Sequence, residues 1–548
     1  MPSPLTRRSV ATTAILVAGA LALAPLTAAS AAIVPAPIQY SADDAALSLA
    51  PVGTFDTGAF DESAAEIVAA HGDRLFVVNA QAGSVSVLDY SEPAAMTLEF
   101  AISSAGIANS VAVRADGLGV IAFEAPTKTD PGHLVFFDAN AAGAASTYLG
   151  EVEVGALPDM VAIAPDGRYA VVANEGEPND AFTIDPEGSV SIVKLPNKVA
   201  AATQKDVKTA DFHAFEAGGS KTLPADVRVF GPQPHGNDLP VSRNLEPEYV
   251  AIDGNTAYVA LQEANAIAVV QIPSARVTGI LPLGFTDFSL PQNALDPSDR
   301  DGGFALRTLE GLFGAYMPDG LNAYRSGGQT YLVTANEGDA REWGDYVEGS
   351  RVSGLASQVC ADSPLASQLG NADLGRLNVT RELGFDDAAG CYSELYTFGA
   401  RSFSIWTTDG AQVFDSGSSF EEITHAANPA FFNSNHTEAN LEGRSDDKGP
   451  EPENLAIGEV GGRTYAFIGF ERVGGVAVYD ITVPTETAFV TYVNNRDFTA
   501  DPTSPAAGDL GAEGVAFIPA SASATGEPML AVANEVSGTT TLFAISTD

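Results

Sequence analysis

The sequence predicts an all-β chain: a seven-bladed β-propeller with long insertions on one face. Three observations carry that expectation. A unit of strand-like segments recurs seven times, glycine-bearing turns separate its first two segments, and a spare strand-like stretch precedes the first copy. Repetition of the same elements in the same order marks an array of like supersecondary units. Composition agrees, because Gly 53 and Pro 33 supply turns, and 45% hydrophobic residues exclude disorder for most of the length. An open array of β-sandwich units is the alternative architecture.

The elements follow in chain order. Arg7 and Arg8 precede an apolar run from Val10 to Leu26, and Ala29-Ser30-Ala31 has the small residues of a cleavage site. That pattern reads as a secretory signal over 1–31, leaving 32–548 as a single propeller domain in a secreted, extracellular protein. Thr6-Arg7-Arg8 permits the twin-arginine route as well as the general secretory one. No second apolar stretch has spanning length, so no membrane span is expected. LSLAPVGTF (47–55) is the spare strand. The repeats start at Glu66 (RLFVVNA, then SVSVLDY), Asn109 (GVIAFEA, then HLVFFDA), Asp159, Glu248 (TAYVALQEA, then AIAVVQI), Asp319 (TYLVTANEGD), Glu453 (RTYAFIGFE, then GVAVYDI) and Glu513 (MLAVANE, then TTTLFAI).

The fifth copy lacks its third strand until RSFSIWTTDGAQVFDSG (401–417), so residues 339–399 read as an insertion within that blade. Counting the later segment as a blade of its own makes eight; seven fits better because the segment has no Asn-Glu strand. The seventh copy ends without an outer strand. Pairing it with residues 47–55 closes the ring and removes an exposed sheet edge.

In a propeller blade the first strand starts at the face where the second strand ends, opposite the Gly turns. Two acidic sets therefore converge on one face. Glu66, Asp159, Glu248, Asp319, Glu453 and Glu513 start first strands, with Asn109 in the second blade. Glu124, Glu175, Glu263, Glu337, Glu471 and Glu535 end second strands, with Ala80 in the first. Two like charges about 7 Å apart repel by roughly 2 kcal/mol at an effective dielectric near 20. A ring of them calls for cations, basic partners or protonation. Glu175, Glu337, Asp339, Glu453 and Glu471 are the expected ligands of a divalent cation, Ca²⁺ above all. The alternative is that each acid caps backbone N–H groups and locks blades together.

Arg341, His436, Arg444 and Lys448 lie on insertions of the same face and are the candidate binders of a phosphate or other anion, on a phosphorylated, mineral or matrix ligand. Arg offers a planar fork and Lys a point charge; a solvated charged loop is the other reading. Asp296, Asp299 and Asp301, followed by Gly302 and Gly303, form a second candidate Ca²⁺ loop without EF-hand spacing, for which an Asx-turn loop is equally open. Cys360 and Cys391 are expected to pair in an oxidising compartment.

Overall charge narrows the function. With 70 Asp+Glu against 27 Lys+Arg the net charge is −43, which excludes a general nucleic-acid binder and disfavours an electrostatic hold on anionic membranes. Six His and two Cys make any metal site all-oxygen rather than zinc-like. There is no G-x-S-x-G elbow, H-E-x-x-H, C-x-x-C, P-loop or dinucleotide fingerprint, and no catalytic residue can be singled out. A monomer is expected.

Several segments resemble the choice-of-anchor I family: NEGEPND (174–180), DPEGSVSIV (185–193), DPSDRDGG (296–303), YMPDGLNAY (316–324), NEGDAREW (336–343), ELYTFGARSFSIW (394–406), FFNSNHTEANLEGRSDDKGPEPENLAIG (431–458) and FIGFERVGGVAVYDI (467–481). The resemblance extends over about residues 45–545. It implies an extracellular propeller of the YVTN/WD40-like type, akin to mesenchyme-specific cell-surface glycoproteins associated with biomineral formation. Some bacterial relatives carry an alkaline-phosphatase label. Two functions are therefore in view: a secreted, cation-binding surface or matrix protein, and a metal-dependent phosphoesterase using the same face.

Overall fold

The computed structural model describes residues 33–231 and 240–547. The signal segment expected at 1–31 lies outside the described residues. The chain is all-β in character, and among the described residues the longest helix, Ser419–Ala427, has 9 residues. No helix among them is long and apolar enough to cross a membrane.

Side-chain alternation explains the sheets. Along Tyr169–Asn174, Ala170 and Val172 pack with Leu134 and Phe136 on one side, while Val171 and Ala173 pack with Val250 and Val259 on the other. Successive residues of a strand face opposite ways, so a strand apolar at both parities belongs in a sheet covered on both faces. The preceding hairpin turns on Gly167, whose φ of +70° a side chain would strain.

Among the described residues, seven antiparallel sheets of four or more strands result. Their first strands are Val68–His71, Ala108–Val113, Pro158–Ile163, Pro247–Asp253, Leu321–Ser326, Pro452–Val460 and Ala512–Ile518. Each first strand lies beside those of the preceding and following sheets, and Ala512–Ile518 lies beside Val68–His71. Seven apolar clusters fill the spaces between consecutive sheets; one of them packs Leu542 and Met529 of the last sheet on Leu75 and Val77 of the first.

The spare strand completes the last sheet. Leu47–Asp56 pairs antiparallel with Thr539–Thr547, setting Leu47 opposite Thr547 and Asp56 opposite Thr539. A strand that sequence reading did not anticipate, Ile38–Ser41, adds a fifth member to the sixth sheet along Ala488–Asn494. The first two strands among the described residues therefore cover edges made by the last two sheets.

In the fifth sheet Gln329–Asn336 pairs directly with Ser402–Thr407, so the chain leaves after Asn336 and rejoins at Ser402. The expected insertion over 339–399 is only part of what is built there. Leu312–Ala315 pairs with Phe285–Asp287 and, in parallel, with Leu395–Phe398. Phe288, Leu295 and Leu309 share one apolar cluster with Val352, Leu365, Leu377 and Tyr392. The segment before the fifth sheet thus supplies a third of the buried residues in the core that the insertion needs. Cys360 and Cys391 are joined in a disulfide there, with Cα atoms 5.1 Å apart.

Candidate functional site

A repeated irregularity brings acids together. In five sheets the ladder between the first and second strands shifts register near its start: between Ala108 and Ser110, Pro158 and Val161, Pro247 and Val250, Pro452 and Leu455, and Ala512 and Gly514. Asn109, Asp159, Glu248, Glu453 and Glu513 fall within those shifts. A bulge releases a residue from the ladder and re-aims its side chain. All five, with Glu66 and Asp319, line one cavity of about 430 Å³.

The ends of second strands bring Glu175, Glu337, Glu471 and Glu535 to the same cavity, with Ala80 in the first sheet. Glu263 lines an adjoining cavity of about 370 Å³ instead. Glu124 lines neither and hydrogen-bonds Asn109.

Burial dominates the electrostatics of this chamber. It pushes Glu66 up to about 8, helped by Glu535, and Asp159 up to about 6, helped by Glu124. Glu248, Glu453 and Glu513 are held well above the ordinary carboxyl range by burial first and by neighbouring acids second. Carboxylate oxygens of Asp319, Glu453 and Glu513 lie within 4.8 Å of one another, and burial holds Asp319 well above the ordinary carboxyl range. Among the described residues no amide, hydroxyl or cationic group reaches Glu453 Oε2 or Glu248 Oε2. Such oxygens demand a proton or a cation.

One wall of the chamber is cationic. Lys448 Nζ donates to Glu337 Oε1 and ion-pairs with Glu451 Oε2 at 3.2 Å. Arg472 donates to Glu451 Oε2 at 3.2 Å and ion-pairs with Glu471 Oε1 at 2.9 Å, and its Nη1 lies 2.9 Å from His436 Nε2. Arg444 Nε donates to Glu451 Oε1 at 2.6 Å. Glu451 is 0% exposed; burial alone would raise it, but Lys448, Arg444 and Arg472 outweigh burial and hold it well below the carboxylate range. Burial, then Arg472, pushes His436 down to about 3, so its ring is neutral near pH 7.

All five expected cation ligands, Glu175, Glu337, Asp339, Glu453 and Glu471, line the chamber. Glu337 is already engaged, since its Oε2 accepts from Gln262 at 2.7 Å while Lys448 holds Oε1. Of the expected anion binders, Lys448 lines the chamber and Arg444 the adjoining cavity, while His436 packs behind Arg472.

Arg341 needs a correction: it is 2% exposed, and all of its N–H groups face acceptors. Nε and Nη2 meet Glu246 Oε2 at 3.0 and 2.9 Å, Nη2 meets Asn244 O at 2.7 Å, and Nη1 meets Asn244 Oδ1 at 3.0 Å and Phe230 O at 3.5 Å. The guanidinium also stacks on Phe230 and Trp343, which leaves it no fork for a phosphate.

The second acidic loop also departs from expectation. Asp299 is held by Arg376 at 2.9 and 3.1 Å, and Glu442 from the loop after the fifth sheet takes its place beside Asp296 and Asp301. Sequence reading passed over Arg472 and the hub role of Glu451. The signal for Arg472 was its position immediately after the strand-end acid Glu471.

Residues 66–484 match the choice-of-anchor I domain, well over half of the chain. The chain belongs to the choice-of-anchor I family. Among curated relatives of this choice-of-anchor I protein, Gigasin-3a of Magallana gigas is 33% identical over 187 residues, 32% of this chain and 65% of that one. Mesenchyme-specific cell surface glycoprotein of Strongylocentrotus purpuratus is 29% identical over 325 residues, 51% of this chain and 41% of that one. The choice-of-anchor I chain therefore spans less than two thirds of either relative. Among solved structures, Kuenenia stuttgartiensis hydrazine synthase superposes with a TM-score of 0.44 at 12% identity, covering 89% of this chain and 97% of that one. A protein from Lactobacillus plantarum superposes with a TM-score of 0.41 at 11% identity, covering 85% and 90%. Both superpositions are too remote to bear on mechanism.

Proposed function

We propose that the chain is a closed seven-bladed β-propeller, one domain with its insertion in the fifth blade, whose axial chamber binds a divalent cation of the Ca²⁺ kind. In this reading it is a monomeric extracellular surface or matrix protein. The observation that carries the reading is the trio Asp319, Glu453 and Glu513, two buried carboxyl groups and one half-buried within 4.8 Å, on a wall where Glu453 Oε2 has no hydrogen-bond partner among the described residues. Hard cations take such all-oxygen sets. Ring closure is supported by the pairing of Leu47–Asp56 with the last sheet and by the apolar cluster between the last and first sheets. The extracellular setting is supported by the family, by a relative named as a cell surface glycoprotein, and by the Cys360–Cys391 disulfide.

The test is thermal unfolding in EDTA and in CaCl₂. A ligand that binds only the native state raises its stability by mass action, so CaCl₂ should raise Tm above the EDTA value. The double variant Glu453→Gln/Glu513→Gln should fold, because the amide nearly keeps the carboxyl's shape and puts no charge in the buried wall, and should lose most of that rise. An unchanged Tm in wild type, with no metal retained on purification, would defeat the reading; the acids would then be proton-sharing blade locks.

A metal-dependent phosphoesterase is the second reading, favoured by Lys448 and Arg472 on the same wall as the carboxylates. Cation-dependent hydrolysis of p-nitrophenyl phosphate, abolished in Lys448→Met, would support it. Lys448 is already bonded to Glu337 and Glu451, so substrate would have to displace one of them.

A further inference from the structure

We propose a second Ca²⁺ site outside the chamber, formed by Asp296 and Asp301 of one loop and Glu442 of another. One carboxylate oxygen from each lies within 4.8 Å of the others. An ion about 2.4 Å from each of its oxygen ligands accommodates oxygens up to about 4.8 Å apart, the spacing of a Ca²⁺ shell. Asp296 is 0% exposed and Glu442 is 3% exposed. Burial of two acids beside a third is costly unless charge is balanced.

No full counter-charge is supplied by the described residues. Asp296 accepts backbone N–H groups, from Ser298 at 3.3 Å and Ala305 at 3.0 Å. Arg401 binds the main-chain oxygen of Asp296 and the Glu421 carboxylate rather than the Asp296 side chain. Arg307 pairs with Asp373 at 3.1 Å and stands 3.8 Å from Asp301. Arg376 is committed to Asp299 and Asp446, and Arg300 reaches Asp299 at 3.2 Å.

The observation that points to a ligand is Glu442 Oε1. Glu442 belongs to this trio, and its Oε1 is buried and has no hydrogen-bond partner among the described residues. The amides of Gly302 and Gly303 lie against the same carboxylate, which fixes the side chain at the mouth of the loop. No His or Cys is in the trio, so a hard oxygen-seeking ion fits and zinc does not.

An ion there would staple the two loops together, with a consequence for the chamber. Two residues beyond Glu442, Arg444 grips Glu451 at 2.6 Å, and Glu451 in turn holds Lys448 against Glu337. The site would order the loop that carries the cationic wall.

Hydrogen exchange of the full chain, with CaCl₂ as the probe against EDTA, tests this locally. Segments 296–305 and 440–445 should exchange at least several-fold more slowly at CaCl₂ above roughly 10⁻³ M, the weak end for extracellular Ca²⁺ modules. Glu442→Gln and Asp301→Asn should each abolish that protection. Glu453→Gln/Glu513→Gln should keep it, so failure of the chamber reading and failure of this one are separable. Asp301 is the surface member of the trio, so its variant serves if Glu442→Gln misfolds. Absence of Ca²⁺ protection in wild type, or protection that survives both trio variants, would overturn the proposal.

Discussion

Glu451 shows what a single buried charge does here. It is wholly enclosed and accepts from Arg444, Arg472 and Lys448, three cations that would otherwise face one another. Removing one member of a buried ion cluster costs far more than the cluster's net worth, because uncompensated charge stays behind. Glu451→Gln should therefore destabilise by about 3–5 kcal/mol, read from urea unfolding. Lys448→Met should cost less, since Glu337 can take up a proton when its partner is lost. Equal effects of the two variants would show that Glu451 is not the hub. Arg341 teaches the complementary lesson: a basic residue between acids in sequence, Asp339 and Glu342, finds its partners instead in Glu246 and Asn244, far along the chain.

At the scale of the strand, the recurring Asn-Glu pair divides its labour by parity. Neighbouring residues face opposite ways, so the Glu enters the chamber while the Asn enters the sheet. Asn174 Nδ2 donates to Ser189 Oγ at 3.2 Å and Ser191 Oγ at 3.0 Å, and Asn336 Nδ2 to Ser402 Oγ at 3.1 Å and Ser404 Oγ at 2.8 Å. Asn534 binds Thr539 Oγ1 at 3.1 Å in the last sheet. These amides pin the second strand to the Ser-x-Ser or Thr-x-Thr start of the third. Asn174→Leu keeps the branched outline but strands two buried hydroxyls, and it should cost about 1–3 kcal/mol in urea unfolding without altering the Ca²⁺ response. A cost below about 0.5 kcal/mol, the level of an ordinary surface change, would remove the pin.

For the whole molecule the chamber predicts a pH dependence with a definite sign. Burial first, and neighbouring charges second, raise Glu66 to about 8 and Asp159 to about 6, whereas Glu263 reaches about 7 through burial despite Arg341. These groups bind protons more tightly when folded than when unfolded. Their contribution is complete below the ordinary carboxyl range, near pH 4, and is lost as pH rises through about 6 to 8. Glu451 has the opposite shift, but its contribution is constant across that window. In EDTA, Tm should fall steadily from about pH 5 to about pH 8. With CaCl₂ the fall should be shallower, because the cation takes over from the protons, and binding near pH 7 should release protons to the buffer. A flat profile in EDTA would mean that the acids titrate as exposed groups do.

Much of this was legible before any coordinate. Short apolar runs set between glycine turns, repeated in a set order, determined where the strands lie. The same order placed Glu175, Glu337, Glu453 and Glu471 at strand ends that share a face. Strand parity is local, so it survives in the sequence. What the sequence could not carry was partnership between distant loops. Glu442 meets Asp296, Arg376 meets Asp299, and segment 285–315 shares its core with 352–395 only because the sheets set those loops side by side. Charge neutralisation of a buried carboxylate depends on what stands within a few ångströms, and that is decided by packing rather than by position along the chain.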